Sequence, residues 1–299
     1  MQAAPDDLRR ARPLIGTFVE ISASGAASAD MEDAIEAAFG AVARVHRLMS
    51  FHDRGSDVSR LNRKAKAGAV AVDPWTFEVL AIAQDLHRRS GGAFDIAVAP
   101  VLQDLGFLPA TERHEGALGK CYAIDLLPGC RVRFRDPGVR IDLGGIAKGF
   151  AVDRAVAVLS EHRLPQGLVN AGGDVAAFGP SPQLIYIRDP RDPLRLLGAV
   201  ALVNEALASS AASSDPIQPL QPTRSAIIDP RRRCVVSAVK GASVRAPSCM
   251  LADALTKVAM IEGEAAATLL EDCDASALIV LGDGDVRVSS NWHWAYLAA

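Results

Sequence analysis

The segment Ile141-Asp142-Leu143-Gly144-Gly145-Ile146-Ala147-Lys148-Gly149-Phe150 restricts the fold more than any other stretch of this chain. An alternating apolar run ends, two glycines free the backbone, and a helix opens with a lysine in its first turn. The free N–H groups and partial positive charge of a helix start suit a phosphate or pyrophosphate, and a lysine beside them adds a full charge. The helix dipole disfavours a cation at that position, so the pattern asks for a compensating anion, with Asp142 as a candidate. On local pattern alone, a glycine turn carrying a solvated lysine is the commoner explanation of such a segment. The spacing is neither a Walker A loop nor a G-x-G-x-x-G fingerprint.

The elements around it follow from hydrophobic period and turn chemistry. Thr17 to Ile21 reads as a strand. Ser28 is placed to cap a long helix in which Met31, Ile35, Ala38, Val42, Val45 and Met49 recur at three- and four-residue steps. Ser50 to Lys66 is polar and irregular. Pro74 starts a second helix that Gly91-Gly92 stops. Cys130 to Asp142 has the alternation of a hairpin turning at Asp136-Pro137-Gly138. A helix from Ala147 to Arg163 precedes strands at Gly167–Asn170, Leu184–Ile187 and Ala199–Val203. Ser209 to Pro222 is a long Ser/Ala/Pro loop, and Ile227-Ile228 a short strand. Ser248 opens a helix to Gly263, a further helix runs to Cys273, and a hairpin turns around Gly282-Asp283-Gly284. Strands and helices mix without strict β-α-β alternation. The expected class is therefore α+β, with mixed or antiparallel sheets and packed helices. Residues 1–12 read as a polar tail ahead of one domain over residues 13–299.

Bulk properties remove several function classes. A chain of 299 residues with 49% apolar content can bury a sizeable core, and with only 5% aromatics that core rests on Ala, Val, Leu and Ile. A net charge of -3 gives no electrostatic reason to expect nucleic acid or an anionic membrane as partner. Five scattered cysteines without a C-x-x-C pair argue against a disulfide framework or a zinc site. No apolar run reaches the ~18 residues needed for a transmembrane helix. The start of the chain has no secretory h-region, which points to the cytoplasm, or to the periplasm if an export segment precedes the sequence given.

Three further segments carry chemistry. Asn170-Ala171-Gly172-Gly173-Asp174 puts paired glycines in a strand, the mark of a bulge or of a closely approaching ligand. Gly92-Ala93-Phe94-Asp95 places one acid among apolar neighbours, where backbone N–H groups are its expected partners. Ala252-Asp253-Ala254-Leu255-Thr256-Lys257 sets Asp253 and Lys257 four apart on one face of an apolar helix. The plain reading is an ion pair, but a poorly solvated pair needs further partners or a role.

In this order, the segments resemble the ApbE family of FAD:protein FMN transferases. The likeness runs from Pro13-Leu14-Ile15-Gly16-Thr17 to about Met260. It includes Met49-Ser50-Phe51 with Ser59-Arg60-Leu61-Asn62, Gly92 to Asp95 with Pro100 and Gly106-Phe107, Ile141 to Gly149 with Asp153, Asn170 to Asp174, Ile228-Asp229-Pro230, and Ala252 to Leu255. The resemblance implies an ApbE-like fold related to tunnelling folds (T-folds), with FAD as substrate in a cleft. It also implies magnesium on the pyrophosphate, transfer of FMN to a threonine of a target flavoprotein, and release of AMP. It places Met49 and Asn62 at the flavin. Gly144, Gly145 and Lys148 fall at the phosphates and adenosine, Gly172, Gly173 and Asp174 near the nucleotide, and Asp95 within the cofactor site. Asp253 and the carbonyl of Ala147 would hold the metal. Asp253 and Lys257 are the candidate catalytic residues of this chain.

The chain departs from the family pattern at three places. Lys257 stands where the family has a metal-ligating threonine, and Thr256 is rotated about 100° around the helix from it. Ala226 stands where a histidine commonly precedes I-I-D-P, with Arg232-Arg233 in place of T-G. The loop after Ser209 lacks the family's glycine and arginine. Besides transfer, the sequence therefore admits a non-catalytic FAD-binding protein, and an unrelated metabolic enzyme on the same fold.

Overall fold

The computed structural model describes residues 7–109, 119–212 and 227–295. A hairpin opens it, β1 (Asp7–Leu14) and β2 (Thr17–Ser24), turning at Ile15-Gly16, both with positive φ. Helices α1 (Ser28–Met49) and α2 (Asp57–Lys64) follow, then β3 (Val70–Ala71), α3 (Pro74–Arg89) and α4 (Ala99–Asp104). Next come β4 (Ile124–Leu127), β5 (Arg131–Phe134), α5 (Ala147–Glu161), β6 (Gln166–Ala171) and β7 (Asp174–Phe178). The chain continues through β8 (Gln183–Asp189), β9 (Asp192–Leu202), β10 (Ala206–Ala211), β11 (Ile228–Asp229), β12 (Cys234–Val235) and β13 (Val239–Ala246). It closes with α6 (Cys249–Glu262), α7 (Ala267–Glu271), β14 (Ser276–Leu281) and β15 (Val286–Val288).

Eight strands form an antiparallel sheet in the order β1-β2-β6-β7-β10-β13-β14-β15. Helices α1, α5 and α6 cover one face, over a core that includes Ile21, Val42, Phe150, Val169, Ala208 and Leu255. The β8–β9 hairpin covers the other, where Val175, Leu207, Leu278 and Val280 meet Val200, Leu202 and Trp292. Because strand side chains alternate, β7 is buried along its whole length, Val175 and Ala177 on one face and Ala176 and Phe178 on the other. The α+β class is thus realised with antiparallel pairing throughout the main sheet. Among the described residues, no helix is long and apolar enough to cross a membrane.

Several expectations change. From Asp7 onward, the tail expected over residues 1–12 is the edge strand β1, its arginines paired with acids of β2 and α1: Arg9 with Glu20, Arg10 with Glu32, Arg12 with Glu36. Ser28 does not cap α1; the cap position is Ala27, without a side-chain bond. The irregular Ser50–Lys66 stretch contains α2, capped by Ser56, which accepts from Ser59 N at 3.0 Å. The hairpin turns at Pro128-Gly129-Cys130 between β4 and β5, and Val139 and Ile141 are buried outside any strand. Ser209 to Ala211 extend β10, Ala212 is buried just beyond it, and the loop from residue 213 on, like Ala226, lies outside the described residues.

Candidate active site

The site is built where α5 meets α6. A Cβ on Gly149 would lie 2.2 Å from the Cys249 carbonyl oxygen and 2.8 Å from Asp253 Cβ. Only glycine allows that approach, which brings the Gly149 N–H to Asp253 Oδ2 at 3.1 Å. Asp153, one turn further along α5, accepts from Cys249 N at 2.7 Å and Met250 N at 2.8 Å, and so locks the start of α6 against α5.

Four charged side chains meet at this crossing. Asp253 is fully buried and Asp174, at the start of β7, almost so. Lys257 Nζ bonds Asp253 Oδ1 and also donates to the Asp253 carbonyl at 3.0 Å. Lys148 Nζ bonds Asp174 Oδ2 and lies 3.6 Å from Asp253 Oδ1. Burial pushes the Asp253 carboxyl up, but Lys148 and Lys257 outweigh it and hold the group below its ordinary value. Burial and the Asp253 charge lift Asp174 to about 6, although both lysines oppose the rise. Burial lowers Lys148, yet Asp253 and Asp174 raise it above its ordinary value. The anion that compensates Lys148 is thus Asp174 with Asp253, not Asp142. The Asp142 carboxylate instead accepts from Gly144 N at 3.0 Å.

Above the quartet lies a cleft of about 460 Å³ with Gly144, Gly145, Lys148, Gly172 and Lys257 on its wall. Asp95, Ser209 and Ser210 border it, with an apolar flank from Phe94, Leu102, Phe107, Leu108, Ile228 and Ile261. A second cleft of about 490 Å³ is lined by Ile15, Met49, Phe51, His52 and Ala147. The two clefts share Leu108, Asp142, Gly144 and Lys148, so the glycine turn is their common wall. Pockets of this size suit small-molecule ligands. Burial also lifts the Asp142 carboxyl above the ordinary carboxylate range.

The sequence-derived residues divide accordingly. Met49, Asp95, Gly144, Gly145, Ala147, Lys148, Gly172 and Lys257 border the clefts. Asp174 and Asp253 lie beneath the lysines. Asn62 is buried, donates to Ile141 O at 2.9 Å and accepts from Ile141 N at 2.8 Å, so it fixes the approach to the glycine turn. Gly173 borders neither cleft; its positive φ and the bond from its N–H to Asn170 Oδ1 at 2.9 Å make the β6–β7 turn. His52 and the Ser209-Ser210 pair line the site without having been singled out. The signal for His52 was its place directly after Met49-Ser50-Phe51; the serines sat at a strand end that reads as loop.

A divalent cation was expected on Asp253 and the Ala147 carbonyl. Magnesium needs oxygen lone pairs at about 2.0–2.1 Å in octahedral order. Asp253 Oδ1 is bonded by one ammonium with a second close by, and Oδ2 accepts a backbone N–H. Protonated Lys257 has no lone pair to offer. The Thr256 hydroxyl is fully buried and bonded to the Asp253 carbonyl and Ser210 Oγ, both at 2.7 Å. The residues present therefore do not fit a resident divalent cation.

A model of the ApbE family matches residues 15–279. The FAD:protein FMN transferase of Rhodobacter capsulatus is 31% identical over 279 residues, 88% of this chain and 53% of that protein. That of Treponema pallidum is 30% identical over 185 residues, 57% of this chain and 51% of that protein. The chain spans about half the length of these curated relatives. The ApbE protein of Thermotoga maritima shares the fold with a TM-score of 0.82 at 27% identity, over 95% of this chain and 97% of its own. The flavin transferase ApbE of Vibrio cholerae does so with a TM-score of 0.83 at 24% identity, over 96% and 98%. With a family match over most of its length, this chain belongs to the ApbE family.

Proposed function

We propose that the chain binds FAD across the two clefts and transfers FMN from it to the threonine hydroxyl of a target flavoprotein, releasing AMP. The observation that carries this reading is the lysine pair at the glycine turn where the clefts meet. Lys148 and Lys257 face the space in which a pyrophosphate joins two ring systems, and the apolar flanks suit the rings. The names of the relatives, FAD:protein FMN transferase, support the same reaction. The threonine oxygen forms a bond to the FMN-side phosphorus as the bond from that phosphorus to the bridging oxygen breaks, and AMP leaves with that oxygen. The ammoniums steady the charge on the phosphate oxygens. Asp142, on the shared wall and with a raised carboxyl, takes the hydroxyl proton.

The test is incubation with FAD and a threonine-containing acceptor peptide, following AMP release and covalent flavin on the peptide. AMP and flavinylated peptide appearing in step are expected. Tight FAD binding with neither product, with or without added divalent metal, would refute transfer.

A further inference from the structure

We infer that Lys257 takes the place of a divalent cation in this site, so that Lys148 and Lys257 hold the FAD pyrophosphate without bound metal. The inference rests on the FAD reading above and concerns what binds the phosphates.

A count of donors supports it. Each ammonium carries three N–H donors. Lys257 uses two, on Asp253 Oδ1 and on the Asp253 carbonyl at 3.0 Å, and keeps one. Lys148 bonds Asp174 and, at 3.6 Å, makes only an ionic contact with Asp253, so two of its donors remain. Three charge-assisted donors thus stand on the cleft wall above two carboxylates that sit beneath them. The acids anchor the ammonium heads and prevent the two like charges from separating.

The same arrangement excludes a cation. A metal on Asp253 would lie against the Lys257 ammonium, and the remaining carboxylate oxygen already accepts from Gly149. The lysine stem runs beside the glycine turn: a Cβ added at Gly145 would lie 3.5 Å from Lys257 Cε. Two lysines against two acids make the quartet neutral. A divalent ion in place of the Lys257 ammonium would leave it with one positive charge more.

FAD binding to the full chain, followed by flavin fluorescence and calorimetry in EDTA and in excess magnesium, tests this. The expected affinities agree within about twofold, and Lys257→Thr weakens binding in EDTA by about tenfold or more, one charge-assisted hydrogen bond's worth, with magnesium restoring it. Manganese is the direct probe and needs no FAD: no manganese titration on the wild-type chain, and a site gained in Lys257→Thr, support the inference. Wild-type FAD affinity that falls about tenfold on adding EDTA, or a manganese site in the wild-type chain, overturns it while leaving the FAD reading intact. Absence of FAD binding under both conditions overturns both.

Discussion

Asp253 and Asp95 are both buried acids beside the same cleft, and they are satisfied in opposite ways. Asp95 Oδ1 accepts from the backbone N–H groups of Ala97 at 2.7 Å and Cys121 at 3.2 Å, and Oδ2 lies 3.3 Å from His87 Nδ1. Burial still leaves its carboxyl raised, and burial together with the Asp95 charge pushes the Cys121 thiol up. Asp253 has one backbone donor and two lysines, and is held low. Backbone donors cannot turn toward a ligand, whereas ammoniums on four-carbon stems can share their protons with one. The first arrangement ties loops together; the second stores charge at a binding wall.

The comparison predicts different failures. Asp253→Ala leaves two ammoniums without their common partner, and is expected to cost about 3–5 kcal/mol of stability, the usual cost of breaking a buried pair. FAD affinity should fall with it. Asp95→Asn keeps one acceptor for the loop N–H groups and should cost about 1–3 kcal/mol, with FAD affinity unchanged within about threefold. Denaturant unfolding and flavin titration on both variants read this directly. If Asp95→Asn loses FAD as Asp253→Ala does, Asp95 is a ligand contact and the distinction fails.

How far this was legible in the sequence depends on separation along the chain. Asp253 and Lys257 stand four apart on one helix, so periodicity alone brings them together. Lys148 was visible at a helix start, but its partner Asp174 lies beyond a helix and a strand, and only the pairing of β6 with β7 brings it into reach. Asp142 was the nearer acid, and it is captured by Gly144 N two residues on, the ordinary habit of an aspartate at a turn. Helix α2 escaped because it is mostly polar; its fold comes from the Ser56 cap and from Asp57, which accepts from Asp73 N and Thr76 Oγ1 at 2.8 and 2.9 Å. Pro128-Gly129 and Asp136-Pro137-Gly138 are both competent turns, so sequence alone does not choose between them, and the strands pair around the first.

Asp153 gives the smallest effect and the finest test of the comparison. Like Asp95 it is satisfied by backbone N–H groups, those of Cys249 and Met250, yet it sits on α5 beside the quartet. Burial outweighs those bonds and lifts its carboxyl to about 6, above the ordinary value of 3.8. A raised acid is protonated in the folded chain over a range where the unfolded chain has already lost its proton. Its contribution to stability is therefore greatest at low pH, declines as pH rises through the window from about 4 to 6, and is constant above it. Asp153→Asn cannot ionise and should lack this decline. The stability difference between wild type and variant should shift against the wild type by on the order of 1 kcal/mol between pH 4 and pH 6, read from paired denaturant curves. A shift in favour of the wild type over that window would mean that the two N–H groups hold the carboxylate as an ion. Backbone donors would then stabilise buried charge as well as lysines do, and what sets Asp253 apart would be its access to the cleft rather than the kind of partner it has.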